Sequence, residues 1–317
     1  MVSDWLYALA QTLLFAATAP LLAGWIKRVK CGLQNRAAPA LGQPYRDLAR
    51  LFRKQEVMAT ERASWVFRAT PYIVFGASLV AASAVPLVAA RLPTAAVADV
   101  IVLVGLLGLA RFFMALAALD IGTAFGGMGA SREMMIGALA EPALLMAAFT
   151  LAMSASTTNL SEVVSYMLES GLALRPSFLF AALGLALVAI AETGRVPVDN
   201  PATHLELTMV HEAMVLEYSG PRLALIEWAS EIKLMIYLVL LANLFLPWGI
   251  ATALTPSALA LGAAAAVAKL AVLGALVALT EMLVAKMRLF RVPQYLGFAF
   301  LLTLLGVLTH IVLETGG

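Results

Sequence analysis

The sequence predicts an all-α, polytopic membrane protein with about eight transmembrane helices. Three observations predict it. The 317-residue chain is 62% hydrophobic and only 13% charged, with a mean hydropathy of +0.92, which is more apolar surface than a soluble interior of this length needs. Its apolar residues come in runs long enough to cross a bilayer, about 20 residues each. None of these runs alternates polar and apolar residues in short segments, as the strands of a membrane β-barrel do.

The runs fall near 4–26, 70–90, 98–118, 132–153, 176–193, 221–247, 256–284 and 293–313. The first lacks a basic leader and contains Asp4, so it reads as a retained span rather than a signal peptide. Lysine and arginine set the orientation. Ten of them lie between residues 27 and 68, and six more (Arg132, Arg195, Arg222, Lys286, Arg288, Arg291) lie in the other connections on that side. The opposite connections hold only Arg91 and Arg175. Sixteen against two places the basic side in the cytoplasm and both termini outside. A prokaryotic cytoplasmic membrane is the expected location. No internal repeat or low-complexity linker divides the chain, so 1–317 is read as one membrane domain.

The first cytoplasmic connection, 27–68, contains GQPYRDLARLFRKQE. Tyr45, Leu48, Ala49 and Phe52 recur at helical spacing, with Arg46, Asp47, Arg50, Arg53 and Lys54 on the remaining surface. This predicts an amphipathic helix. It suits both an interfacial helix on anionic membrane lipid and a docking surface for a cytoplasmic partner.

Composition also excludes functions. A net charge of +2 argues for no nucleic-acid partner. One cysteine, Cys31, cannot hold an iron–sulfur cluster or a structural zinc. With three histidines in all, the chain is expected to carry no redox centre and no cofactor. The glycine-rich GTAFGGMGASRE, residues 122–133, lacks the spacing of a phosphate-binding loop. It reads as flexible or closely packed backbone between the third and fourth spans.

Ionisable groups inside spans are costly, and by default they mark ion pathways. Here they are Arg111 on the third span, Glu133 and Glu141 on the fourth, Glu192 ending the fifth, Glu227, Glu231 and Lys233 on the sixth, and Lys269 and Glu281 on the seventh. Glu227 and Glu231 are four apart and share a helix face, so they suit a group that takes up and releases a proton. The plain alternative seats Glu227 at a wet helix start and pairs Glu231 with Lys233 or with another helix. Lys269, mid-span, is expected to have a buried carboxylate partner. The plain alternative for Arg111 is snorkelling, with Asp120 as a local partner.

The densest cluster is ETGRVPVDNPATHLELTMVHEAMVLE, residues 192–217, within the connection 194–220. It holds Glu192, Asp199, Glu206, Glu212, Glu217, His204 and His211. Metal-site spacing such as HExxH is absent, so its histidines read as polar loop residues or proton relays. The segment is expected to dip back among the helices, where irregular backbone is tolerated if protein or water surrounds it.

Three segments together resemble a known family: QNRAAPALGQPYRDLARLFRKQE, AETGRVPVDNPATHLELTMVHEAMVLEYSG and PRLALIEWASEIK. The chain resembles the heel subunit of respiratory complex I and its relatives in membrane-bound, energy-converting nickel–iron hydrogenases. Glu192, Arg195, Pro197, Asp199, Glu206 and the run Glu217, Tyr218, Ser219, Gly220 match the family frame. Asn200, Ala202, Thr203 and His204 replace the acidic middle of the complex I form, and that form lines a quinone cavity with this region. The departure favours the hydrogenase branch, formate hydrogenlyase included.

The resemblance implies a cofactor-free membrane subunit. Nickel–iron and iron–sulfur centres would lie in its partners: hydrogenase large and small subunits and a ferredoxin-like subunit. An antiporter-like membrane subunit would flank it. The resemblance, with the charge pattern, nominates Glu133, Glu141, Glu192, Asp199, Glu206, Glu212, Glu217, Glu227, Glu231, Lys269 and Glu281 for the proton path. Arg46, Arg50, Arg53, Lys54 and Arg195 are nominated for partner docking. The competing readings are a quinone-site subunit of complex I type, a stand-alone secondary transporter, and a passive anchor.

Overall fold

The computed structural model describes residues 2–57, 64–90, 98–169, 175–199 and 209–314. These form eleven α-helices: α1 Val2–Leu33, α2 Gln43–Arg53, α3 Trp65–Ala84, α4 Val100–Asp120, α5 Ala124–Ala155, α6 Leu160–Glu169, α7 Pro176–Glu192, α8 His211–Val215, α9 Gly220–Phe245, α10 Pro256–Leu283 and α11 Val292–Thr309. Among the described residues the only β pairing is two isolated bridges, Ala89–Ala251 and Asp99–Asn159. The all-α membrane architecture expected from the sequence is therefore present.

All eight predicted spans fall on helices. Six of the helices are long and apolar enough to cross a membrane, and Pro176–Glu192 is a shorter apolar one. α9 is comparable in length but carries Arg222, Glu227, Glu231 and Lys233. α1 and α5 have 32 residues each, about 48 Å at 1.5 Å per residue, against a hydrocarbon core of about 30 Å. Both are longer than one bilayer crossing requires; the end of the bundle where α2 lies is called here the basic end.

Local chemistry sets the helix starts. Ser64, Asp99, Thr123 and Thr255 cap α3, α4, α5 and α10 by accepting from backbone amides of the first turn. Proline opens α7 and α10 and stands in the first turn of α2, α9 and α11, where its missing N–H costs nothing.

α9 is the central post, packing against α1, α2, α3, α6, α7 and α10. Ile232, Met235, Ile236 and Tyr237 are fully buried on it. α4, α5, α7 and α11 pack together on one side of it, and α10 leans mainly on α1. α10 and α11 keep the most exposed surface of the long helices, as lipid-facing or partner-facing helices do.

One expectation changes, and the predicted amphipathic helix is found as α2. The glycine-rich stretch is not a loop: α5 begins at Ala124 and runs through it. A Cβ on Gly129 would lie 2.9 Å from the Val210 carbonyl oxygen and 3.0 Å from Ala213 Cβ. The expected close packing is found, but on a helix whose small residues let α8 approach. On α2 only Leu48 of the four apolar positions is buried; Tyr45, Ala49 and Phe52 are exposed. α2 therefore presents a bare apolar strip beside its basic one.

Candidate functional site

Arg111 stands at mid-helix on α4, on the face where Leu107, Met114 and Ala118 are also buried. It is 6% exposed. It does not snorkel toward Asp120, which instead accepts from the Ser64 amide at 3.1 Å. Its guanidinium bonds Glu141 of α5 and Glu192 of α7, and Glu133 lies 3.5 Å from Nε. Gly137 and Gly108 make this possible: a Cβ on Gly137 would overlap the guanidinium, and one on Gly108 would lie 3.2 Å from a Glu141 oxygen.

Glu192 is the second hub. It is the last residue of α7, because Thr193 leaves the helix and Gly194 turns the chain at φ +59. Lys233 of α9 reaches the same carboxylate at 3.0 Å. Lys233 therefore pairs with Glu192, not with Glu231 as its own helix suggested. One charged cluster thus joins α4, α5, α7 and α9. Its three carboxylates face two cations.

Beside it opens a cavity of about 670 Å³. It is lined by α1 from Ala23 onward and the residues just after it, by Glu133 and Ile136 of α5, by the turn after α7, by α8, by α9 and by Glu281 of α10. Seven carboxylates line it among the described residues: Glu133, Glu192, Asp199, Glu212, Glu227, Glu231 and Glu281. Glu281 is held by Lys30 at 2.9 Å and by Arg195 at 2.7 Å. Asp199 is held by Lys286 at 3.0 Å. Glu212, Glu227 and Glu231 have no ion pair among the described residues, and Glu231 keeps one buried oxygen without a hydrogen-bond partner. The plain pairing of Glu231 with Lys233 is thereby excluded, and two carboxylates one turn apart face the cavity together.

The described parts of the connection after α7, residues 193–199 and 209–219, pack back among the helices. Val196, Val198, Asp199, Met209, Val210 and Tyr218 are buried. Asp199 accepts from the Val210 amide at 3.3 Å, Arg132 donates to the Met209 carbonyl at 2.8 Å, and the Met287 amide donates to Pro197 at 2.9 Å. The Tyr218 hydroxyl donates to the Phe67 carbonyl at 3.0 Å, and its ring stacks on Phe67 at 4.0 Å. Burial pushes the Tyr218 phenol above its ordinary range.

Other nominated residues sit apart. Glu206 and His204 lie outside the described residues. Glu217 is half-buried and is not among the described residues lining the cavity. Lys269 is 8% exposed on α10, away from the cavity, and the carboxylate expected beside it is absent among the described residues. Arg46, Arg50, Arg53 and Lys54 are exposed on or just after α2, while Arg195 lines the cavity. No group of three or more His, Cys, Asp or Glu side chains among the described residues is arranged to hold a metal.

Residues 6–313 match the family model described as NADH dehydrogenase. The chain belongs to this family. Within it, the chain is 35% identical over 300 residues to formate hydrogenlyase subunit 4 of Escherichia coli (strain K12), covering 93% of this chain and 96% of that one. It is 33% identical over 296 residues to hydrogenase-4 component C of the same organism, covering 93% and 92%. An NADH-quinone oxidoreductase subunit of Paraburkholderia phymatum is 26% identical over 239 residues, covering 71% of this chain and 65% of that one. In fold the family member matches a chain in the structure of the membrane-bound sulfane sulfur reductase, an archaeal respiratory membrane complex. The TM-score is 0.80 and the identity 19%, covering 96% and 99%. The resemblance read from the sequence, and its hydrogenase branch, are borne out.

Sequence reasoning flags nearly every buried charge of this family member but misassigns partners. Arg111 and Glu192 are 81 positions apart. Lys30 and Lys286, which fix Glu281 and Asp199, read in the sequence only as basic loop residues. The available signal is cost: an arginine at mid-span needs carboxylates from other helices.

Proposed function

We propose that this chain is the membrane anchor and ion-coupling subunit of an energy-converting nickel–iron hydrogenase complex. In this reading the basic end faces the cytoplasm of a prokaryotic cell, and both termini lie outside. A peripheral redox arm seats over the cavity, and an antiporter-like membrane subunit flanks the bundle. Nickel–iron and iron–sulfur centres belong to the arm, where protons and electrons combine to H2 or the reverse.

The observation that carries the reading is the full-length likeness to subunits of two hydrogenase complexes. The geometry supports its ion-coupling part. Glu227, Glu231, Glu192 and Glu133 line the cavity together, and Arg111 joins Glu192 and Glu133 to Glu141 inside the bundle. Glu192 is shared by both zones. With three carboxylates against two cations, the inner cluster has room for one proton at no net charge. Such a cluster suits a group that exchanges a proton with the cavity when the arm changes redox state. Glu206, Glu212 and Glu217 are proposed as accessory proton-exchanging groups, and Arg195 as the residue that orients the connection beneath the arm.

The test is extraction in mild detergent, followed by reconstitution of the complex into proteoliposomes. The expected result is co-purification with a nickel-containing subunit, H2 evolution, and ion movement that falls in a Glu227→Gln, Glu231→Gln double variant whose subunits stay together. Quinone reduction by a complex without nickel would overturn the assignment in favour of a complex I-type quinone subunit. Unchanged ion movement in the double variant would leave a passive anchor.

A further inference from the structure

We propose that the outer face of α2 is a binding site for anionic phospholipid headgroups at the membrane surface. The inference does not depend on which redox complex the chain serves.

The first observation is depth. α2 lies across α1 and α9. Its N-terminal end rests on Gly24 of α1, where a Cβ would lie 2.5 Å from the Leu41 carbonyl oxygen and 3.3 Å from Pro44 Cδ. Gly24 and Trp25 precede Lys27 and Arg28 directly on α1, the level at which aromatic and basic residues mark a membrane boundary. The Tyr45 hydroxyl reaches still deeper and donates to the Ala17 carbonyl. α2 is therefore held at the boundary between headgroups and acyl chains, not above it in water.

The second observation is the pairing of two exposed strips. Tyr45, Ala49 and Phe52 form a bare apolar strip along α2, flanking the buried Leu48. Beside it Arg46, Arg50 and Arg53 recur at helical spacing and are exposed. The one acid on the helix, Asp47, is engaged by Gln43 at 2.9 Å and by Arg50 at 3.7 Å. Arg46 and Arg53 have no ion pair among the described residues. An apolar strip meeting acyl chains, with arginines directly above it, matches the layering of a phospholipid.

The chemistry selects a net-anionic lipid. A guanidinium presents a planar fork to phosphate oxygens. A zwitterionic headgroup brings its own cation and gains less. A protein partner approaching from water would meet the arginines but leave the apolar strip uncovered, so lipid is the occupant that satisfies both.

The test uses the assembled complex in nanodiscs of phosphatidylcholine with increasing phosphatidylglycerol, with bound lipid counted by native mass spectrometry. The wild-type complex is expected to retain phosphatidylglycerol selectively. An R46Q/R50Q/R53Q variant should need about a hundredfold more of it for the same occupancy, taking three basic contacts near the surface. An R46K/R50K/R53K variant should recover at least part of the selectivity and guards against misfolding. Equal retention in wild type and the glutamine variant would overturn the proposal. So would loss of peripheral subunits in the glutamine variant with lipid retention unchanged, because that outcome makes the strip a protein-docking surface.

Discussion

Arg111 and Glu192 form an ion pair inside the bundle that joins α4 to α7 across 81 positions of sequence. Both residues are 6% exposed. Taking two charges out of water is costly, and the pair survives because each partner has further partners: Glu141 and Glu133 for Arg111, Lys233 for Glu192. The cluster is thus a clamp on four helices and, in the proposed function, also the group that exchanges a proton with the cavity.

Arg111→Met should separate these roles poorly, since it strands three carboxylates with Lys233 alone. The expected cost is about 3–5 kcal/mol, the range for removing one partner of a buried pair. Arg111→Lys should recover only part of it, because an ammonium cannot fork between Glu141 and Glu192. Thermal unfolding of the isolated protein in detergent checks both, and wild-type stability in Arg111→Met would contradict the clamp.

How far the sequence foretells this can be judged from particular residues. The spans are legible because bilayer crossing imposes a length and a hydropathy on each segment separately. The re-entrant segment is legible from its carboxylates and its resemblance to a family. The partners of Arg111 are not, because they lie on other elements and only packing decides which of many carboxylates meets it. The helix through Gly126, Gly127 and Gly129 is hidden for a related reason. Glycine is a poor helix former, and here the approach of α8 outweighs that propensity.

That approach predicts opposite effects for two neighbouring glycines. Gly129→Ala places a Cβ 2.9–3.0 Å from Val210, Ala213 and Met214, and overpacking of this kind costs about 1–3 kcal/mol. Gly127→Ala meets nothing within 4 Å and should be neutral or stabilising by about 0.5–1 kcal/mol through helix propensity. Melting temperatures of the two variants, compared side by side, decide it. Equal effects would mean that α8 does not sit against Gly129.

Tyr218 gives a prediction in pH. Burial holds its phenol above the ordinary value near 10 in the folded chain, whereas the unfolded chain ionises near that value. Above about pH 10 the unfolded state therefore holds fewer protons than the folded one, and stability falls as pH rises. Tyr218→Phe should make that alkaline decline shallower. At neutral pH it should cost about 1 kcal/mol for the lost bond to Phe67. Denaturation midpoints across neutral and alkaline pH check both signs, and an unchanged alkaline slope would place the phenol in solvent.

Lys269 is buried at mid-helix on α10, with no carboxylate beside it among the described residues. A charge kept there without a partner costs stability, and chains retain such costs where function needs them. Lys269→Met conserves most of the side-chain length and removes the ammonium. The expected outcome is a protein at least as stable as wild type, by thermal unfolding in detergent, inside a complex whose ion movement in proteoliposomes is reduced. Reduced stability would mean that the ammonium is paired within the folded chain and serves its packing. Raised stability with unchanged ion movement would remove Lys269 from the proposed path altogether.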